Sequence, residues 1–154
     1  MSSFTTPIVA RMLACGKNFE LVEGFEYYTF LDPKGKAVGV DPGEQRKNKP
    51  TWVIRIPKGL VTDFASVPSV LWSVAPPIGL HSKAAVVHDY LYIAVVGTRK
   101  WADKVFFEAM KAAGVGWFRR NAYYYAVRLF GGFVWRRYKA MKEAIDDREG
   151  SDGS

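Results

Sequence analysis

Apolar residues recur along this chain with two different periods, and the change of period divides it. In the first half the period is two. Phe25, Tyr27 and Thr29 alternate with Glu26, Tyr28 and Phe30, and Trp52, Ile54 and Ile56 alternate with Val53 and Arg55. Alternation of this kind marks a half-buried strand, so residues 19–30 and 51–56 are predicted strands. Asp32-Pro33-Lys34-Gly35 has turn chemistry, and residues 37–40 are a candidate return strand. Residues 41–50 are polar without a period and read as a loop. Pro57-Lys58-Gly59 breaks the second strand and Leu60-Val61 resumes it.

From Ser82 the period becomes helical. Ser82 is a candidate N-cap. Ala85, His88, Asp89 and Tyr92 fall along one side, and Val87, Leu91 and Val95 along another. Gly97 ends this helix and Thr98 caps the next, which runs to about Ala113 with Ala102, Val105, Phe106 and Ala109 inward. The short connection makes the pair an antiparallel hairpin. Residues 117–130 are a third predicted helix, stopped by Gly131-Gly132. Residues 133–145 are a fourth, with Arg136, Arg137, Lys139 and Lys142 on its polar side.

These elements predict an α+β fold. A small antiparallel sheet from the N-terminal half packs against a three- to four-helix C-terminal bundle with a central helical hairpin. The expected organisation is an N-terminal arm at 1–18, one domain at 19–145 and a solvated, disordered tail at 146–154.

Composition narrows the function classes. With 49% hydrophobic and 24% charged residues, disordered and collagen-like classes are excluded. No run of eighteen uncharged apolar residues offers a transmembrane span. The N-terminus lacks the basic and then apolar regions of a secretory signal. The one cysteine, Cys15, can form no intramolecular disulfide and reads as a buried or idle thiol. The net charge of +7 points either to an anionic partner or to a generically basic surface. Residues 117–142 interleave aromatics with Arg and Lys, a mixture that suits single-stranded nucleic acid or a lipid interface. At helical spacing most such aromatics are expected in the core.

The concentrated chemistry lies on the predicted hairpin. His88 and Tyr92 are one turn apart on a helical face, and the returning helix brings Asp103 to within about a turn of His88. A carboxylate there can hold the imidazole in one tautomer, which is how a general base is oriented. His88, Asp103 and Tyr92 are therefore the candidate catalytic residues. Asp89 is placed to bind a hard divalent cation or to position a water, with Asp63 as a second carboxylate. Arg99 and Lys83 are candidate contacts for an anionic substrate. His81, at the loop–helix junction, is expected to be exposed. A second reading stays open, in which His88 and Asp103 are a satisfied polar pair of the core. Ser66 lacks the context of a nucleophile elbow.

Four blocks in order carry a family resemblance. They are Ile56-Pro57-Lys58-Gly59-Leu60-Val61-Thr62-Asp63-Phe64-Ala65-Ser66-Val67-Pro68, Lys83 to Tyr92 with His88-Asp89, Ala102 to Met110 with Asp103, and Ala126 to Gly132. Over residues 52–135 the chain resembles the phage and prophage family called domain of unknown function 1353. Ser69 stands where that family often has Arg. The resemblance implies a phage or prophage origin, a place in the host cytoplasm or the virion, and phage structural proteins as candidate partners.

A second, shorter resemblance concerns chemistry. His88-Asp89-x-x-Tyr92 followed by Ala102-Asp103-x-x-Phe106 is similar to the active-site helix pair of secreted phospholipases of the A-two class. That resemblance implies His88 as general base, Asp89 as a ligand of Ca2+, and Tyr92 and Asp103 as the groups that orient the ring. The chain departs from the pattern in lacking the glycine-rich calcium loop and the helix-linking cysteines. The reading that follows is a hydrolase acting on an ester of a lipid or of the cell envelope, with an anionic lipid or envelope polymer as partner. The alternative is a non-enzymatic virion component or host-factor binder in which the cluster is structural.

Overall fold

The structure, a computed structural model, describes residues 3–4, 6–16, 18–34, 40–46, 49–62 and 79–151. Its elements are β1 (Ser3–Phe4), β2 (Ala10–Met12), β3 (Phe19–Leu21), β4 (Phe25–Thr29), β5 (Val40–Arg46), β6 (Lys49–Ile56) and β7 (Val61–Thr62), then α1 (Ser82–Ile93), α2 (Arg99–Ala112) and α3 (Trp117–Ser151). The class is α+β, as the sequence predicts.

The strands form two antiparallel sheets rather than one, with orders β1-β4-β6-β5 and β2-β3-β7. The single strand expected over 19–30 is split between them at Val22-Glu23-Gly24. A Cβ on Gly24 would lie 2.7 Å from the carbonyl oxygen of Ile56, so close backbone approach fixes the break there. β4 keeps its alternation, with Phe25, Tyr27 and Thr29 buried. Phe25 and Tyr27 stand opposite Ile56 and Ile54 in β6. Val40, expected at the end of a return strand, and residues 41–46, expected as loop, form one strand that pairs with β6 through a register shift between Gly43 and Arg46. The N-terminal arm also contributes strands: Phe4 faces Tyr27, and Ala10 faces Leu21. Pairing with a neighbour satisfies backbone groups that a short polar segment does not advertise in its side-chain pattern.

The core joins Leu21, Tyr27, Ile54 and Ile56 to Val86, Val87 and Leu91 of α1 and Val105, Phe106 and Met110 of α2. Glu108 of α2 ties helix to sheet. It accepts from the Thr29 hydroxyl at 2.7 Å and from the Phe30 amide at 3.3 Å.

Thr98 caps α2, its hydroxyl accepting from the Trp101 amide at 3.2 Å. His81, not Ser82, is the N-cap residue of α1. Ser82 is the first helical residue, and its hydroxyl accepts from the Gly79 amide at 3.0 Å. α1 ends at Ile93, before Gly97. Val95 takes φ 50°, its amide donates to Tyr92 O, and the Val96 amide donates to Leu91 O. α2 ends the same way with Gly114 at φ 83°, where Gly114 and Val115 donate to Lys111 O and Met110 O. Both are Schellman closures, one with glycine and one with valine in the left-handed position.

The predicted third and fourth helices are one. α3 runs for 35 residues straight through Gly131-Gly132 and on to Ser151, across most of the expected tail. A Cβ on Gly131 would lie 2.7 Å from Tyr92 Oη. Glycine there admits close packing of α3 on α1 instead of stopping the helix.

Candidate functional site

The hairpin does what its spacing predicts. His88 Nε2 lies 3.0 Å from Asp103 Oδ1, with both side chains buried. Tyr92 donates its hydroxyl to the same oxygen at 2.7 Å. The His88 ring is held between Tyr92 and Phe106, at centroid distances of 4.2 and 4.7 Å. The remaining oxygen, Asp103 Oδ2, accepts from Arg128 Nη1 of α3 at 2.6 Å. Asp103 is thus a fully buried carboxylate with donors from three directions.

Burial alone would raise the Asp103 carboxyl pKa. The hydrogen bonds from His88, Tyr92 and Arg128 outweigh it and hold the group below its ordinary value. The Tyr92 phenol is pushed well above its usual range, by burial first and then by the Asp103 carboxylate it bonds. Arg128 is raised through its hydrogen bond to Asp103. An ionised carboxylate only accepts, so His88 Nε2 carries the proton in the neutral ring and Nδ1 carries the lone pair.

His88 is also a wall residue of a cavity of about 500 Å3. Asp89 lines the same cavity, and its carboxylate accepts from the hydroxyl of Thr62 in β7. The remaining wall is largely apolar and comes mostly from α1, α2 and α3, including Ile93, Phe106, Val127, Phe130 and Val134, with Asn18 and Val61 from the second sheet's side. This volume and lining suit a small organic ligand with an apolar portion. Asp103 and Arg128 are not wall residues; Asp103 is joined to the cavity through the two wall residues it bonds, His88 and Tyr92.

The other predicted residues are placed elsewhere. Lys83 donates to Thr6 O at 2.7 Å and sits over the Phe4 ring, bracing the N-terminal segment. Arg99 donates to Arg128 O at 3.1 Å, bracing α3, and its side chain also bears on the Tyr92 phenol from outside the cavity wall. Neither lines the cavity. Asp63 and Ser66 lie outside the described residues. His81 is buried rather than exposed. It stacks on Tyr123 at 4.6 Å, and the Tyr123 hydroxyl lies 3.3 Å from both its ring nitrogens. Burial pushes the Tyr123 phenol up to about 12, against the opposing pull of Arg119. Cys15 is exposed.

Calcium needs six to eight oxygen ligands. Among the described residues Asp89 is the one carboxylate on the cavity wall, and no group of three His, Cys, Asp or Glu side chains could hold a metal ion. The described donors do not fit the calcium site that the phospholipase resemblance implies.

Sequence reasoning missed Arg128 and Thr62, because only tertiary packing brings them to Asp103 and Asp89. The signal available for Arg128 was a cation inside an apolar, aromatic helical stretch.

Residues 41–127 match the model of a family described as a protein of unknown function, DUF1353. That is more than half of the chain. The chain belongs to the DUF1353 family. The matched segment holds His88, Asp89, Tyr92 and Asp103 and stops one residue short of Arg128. Over 78 residues, or 49% of its length, the chain is 35% identical to the uncharacterized protein y4jT of Sinorhizobium fredii (strain NBRC 101917 / NGR234). It covers 23% of that relative. No solved structure matches.

Proposed function

We propose that this DUF1353 protein is a hydrolase in which His88 activates water against an ester carrying an apolar chain. One observation carries the reading: His88 and Asp89 line the same largely apolar cavity, while Asp103 holds the His88 ring through Nε2. Nδ1 of His88 takes a proton from water as the oxygen attacks the ester carbonyl carbon. The carbon–oxygen bond to the alcohol then breaks, and the imidazolium returns the proton to the leaving oxygen. Asp103 keeps the ring in the tautomer that leaves Nδ1 basic, and stabilises the transient positive charge. Asp89, oriented by Thr62, positions the water or a polar part of the substrate. An ester of a lipid or of the cell envelope suits the apolar wall. The family resemblance supports a phage or prophage origin, and with it the host cytoplasm or the virion as location.

The test is turnover of acyl esters by purified protein. His88→Ala should lower the rate by about 10²–10⁴-fold while circular dichroism stays unchanged. A wild-type protein inert toward lipid, peptide and phosphate esters would overturn the reading.

A second reading draws on the saturation of Asp103, whose three donors make the cluster self-sufficient without any substrate. On that reading the chain is a non-enzymatic virion component or host-factor binder, and His88→Gln destabilises it without changing any rate.

A further inference from the structure

α3 presents an apolar surface that no part of the described chain covers. Phe118, Leu129 and Phe133 are 71%, 76% and 70% exposed, and Tyr125 and Phe130 are exposed beside them. At about 100° per residue, Phe118, Tyr125, Leu129 and Phe133 fall within about 80° of one another on the helix. Scattered exposed apolar residues need no explanation, but a contiguous row of large ones marks a contact surface. The sequence pattern places most aromatics of this stretch in the core; these are outside it.

The charge around the row decides what covers it. Residues 109–142 contain eight Lys and Arg and no Asp or Glu, more positive charge than the whole chain's net +7. Arg119, Arg136, Arg137 and Lys139 are exposed among or beside the apolar row. Two copies of the chain meeting through this face would bring like charges together, which disfavours a dimer there. Nucleic acid would satisfy the cations and leave Leu129 and Phe133 without a use. A surface with anionic headgroups above acyl chains satisfies both sets at once.

We infer that α3 docks this protein onto an anionic lipid surface, with Phe118, Leu129 and Phe133 entering the acyl boundary and Arg119, Arg136 and Arg137 contacting headgroups. Phe130 joins this surface to the cavity, since it is exposed beside the row and also lines the cavity wall. The docking itself is independent of any chemistry in the cavity. That it delivers an ester to His88 rests on the hydrolase reading.

The test is co-sedimentation of the full chain with vesicles of phosphatidylcholine alone and of phosphatidylcholine mixed with phosphatidylglycerol. Wild type should bind the mixed vesicles, more weakly as salt rises, and bind the neutral ones little. The double variant Leu129→Glu/Phe133→Glu should bind about tenfold or more weakly with unchanged circular dichroism. Should that variant misfold, Arg136→Glu/Arg137→Glu removes the electrostatic half of the contact and should show the same loss. His88→Ala should bind as wild type does, which separates docking from catalysis. On the hydrolase reading, Leu129→Glu/Phe133→Glu hydrolyses a water-soluble short-chain ester at the wild-type rate and loses activity only on vesicle-borne ester. Undiminished vesicle binding by the variants overturns the inference. So does wild-type binding to duplex DNA in place of vesicles, or a wild-type dimer that Leu129→Glu/Phe133→Glu converts to monomer.

Discussion

His88 and Asp103 are fifteen residues apart in sequence and 3.0 Å apart in space, joined by a hydrogen bond across the α1–α2 hairpin. The carboxylate lies outside the cavity wall, so on the hydrolase reading its influence passes through the wall residues it bonds, the His88 ring first and the Tyr92 hydroxyl beside it. Asp103→Asn would present an amide that no longer enforces the Nε2–H tautomer. On the hydrolase reading, kcat falls by about 10³-fold or more with KM unchanged. Steady-state kinetics on the variant check this, and a matching rise in KM would place Asp103 in substrate binding instead.

Removing the carboxylate altogether tests stability. Asp103→Ala leaves Arg128, Tyr92 and His88 without their shared acceptor in or near the core. The expected loss is about 2–4 kcal/mol in urea unfolding, at the lower end because Arg128 can still reach water.

Acid and alkaline limbs of the stability profile should each have an owner. The Asp103 carboxyl sits below its ordinary 3.8 in the folded chain. Its contribution is fully present above that ordinary value and is lost as pH falls toward and through the folded one. Asp103→Asn should therefore flatten the acid limb. Tyr92 has the opposite sign: its phenol is raised above the ordinary 10.0. Its contribution is present below pH 10.0 and is lost as pH rises above it, where only the unfolded phenol ionises. Tyr92→Phe should remove that alkaline loss. Chemical denaturation at several pH values measures both.

The two adjacent glycines of α3 should respond oppositely to alanine. A Cβ on Gly131 would meet Tyr92 Oη at 2.7 Å, whereas one on Gly132 would meet Arg99 Nη1 at 3.5 Å, an ordinary contact. Gly131→Ala should cost about 1–3 kcal/mol by forcing Tyr92 off Asp103. Gly132→Ala should stabilise by about 0.5–1 kcal/mol through helix propensity. Urea midpoints distinguish them.

The paired helix ends allow a reciprocal exchange. Val95 occupies the left-handed position that Gly114 fills at the end of α2. Val95→Gly should stabilise by about 0.5–1 kcal/mol, and Gly114→Val should cost about 1–2 kcal/mol. Nothing lies within 4 Å of a Cβ on Gly114, so the second figure isolates backbone conformation.

Much of this was legible where a side-chain period was strong. The alternation of Phe25, Tyr27 and Thr29 located β4, and the helical spacing of His88, Tyr92 and Asp103 located their hydrogen-bonded cluster. What was not legible depended on backbone or on distant contact. Residues 40–46 pair as a strand because β6 offers an edge, not because their side chains alternate. Gly131-Gly132 read as a helix stop because glycine punctuation and glycine packing look identical in sequence. His81 reads as exposed in the sequence because its cover, Tyr123, comes from a helix 42 residues away.

The length of α3 has a mechanical consequence. Thirty-five residues make a rod about 52 Å long. Along its second half, Lys142 anchors it by donating to Ala94 O at 3.2 Å, and residues 143–150 are exposed. The rod overhangs the body like a cantilever, so proteolytic shortening or a fusion beyond Lys142 should leave the melting temperature almost unchanged.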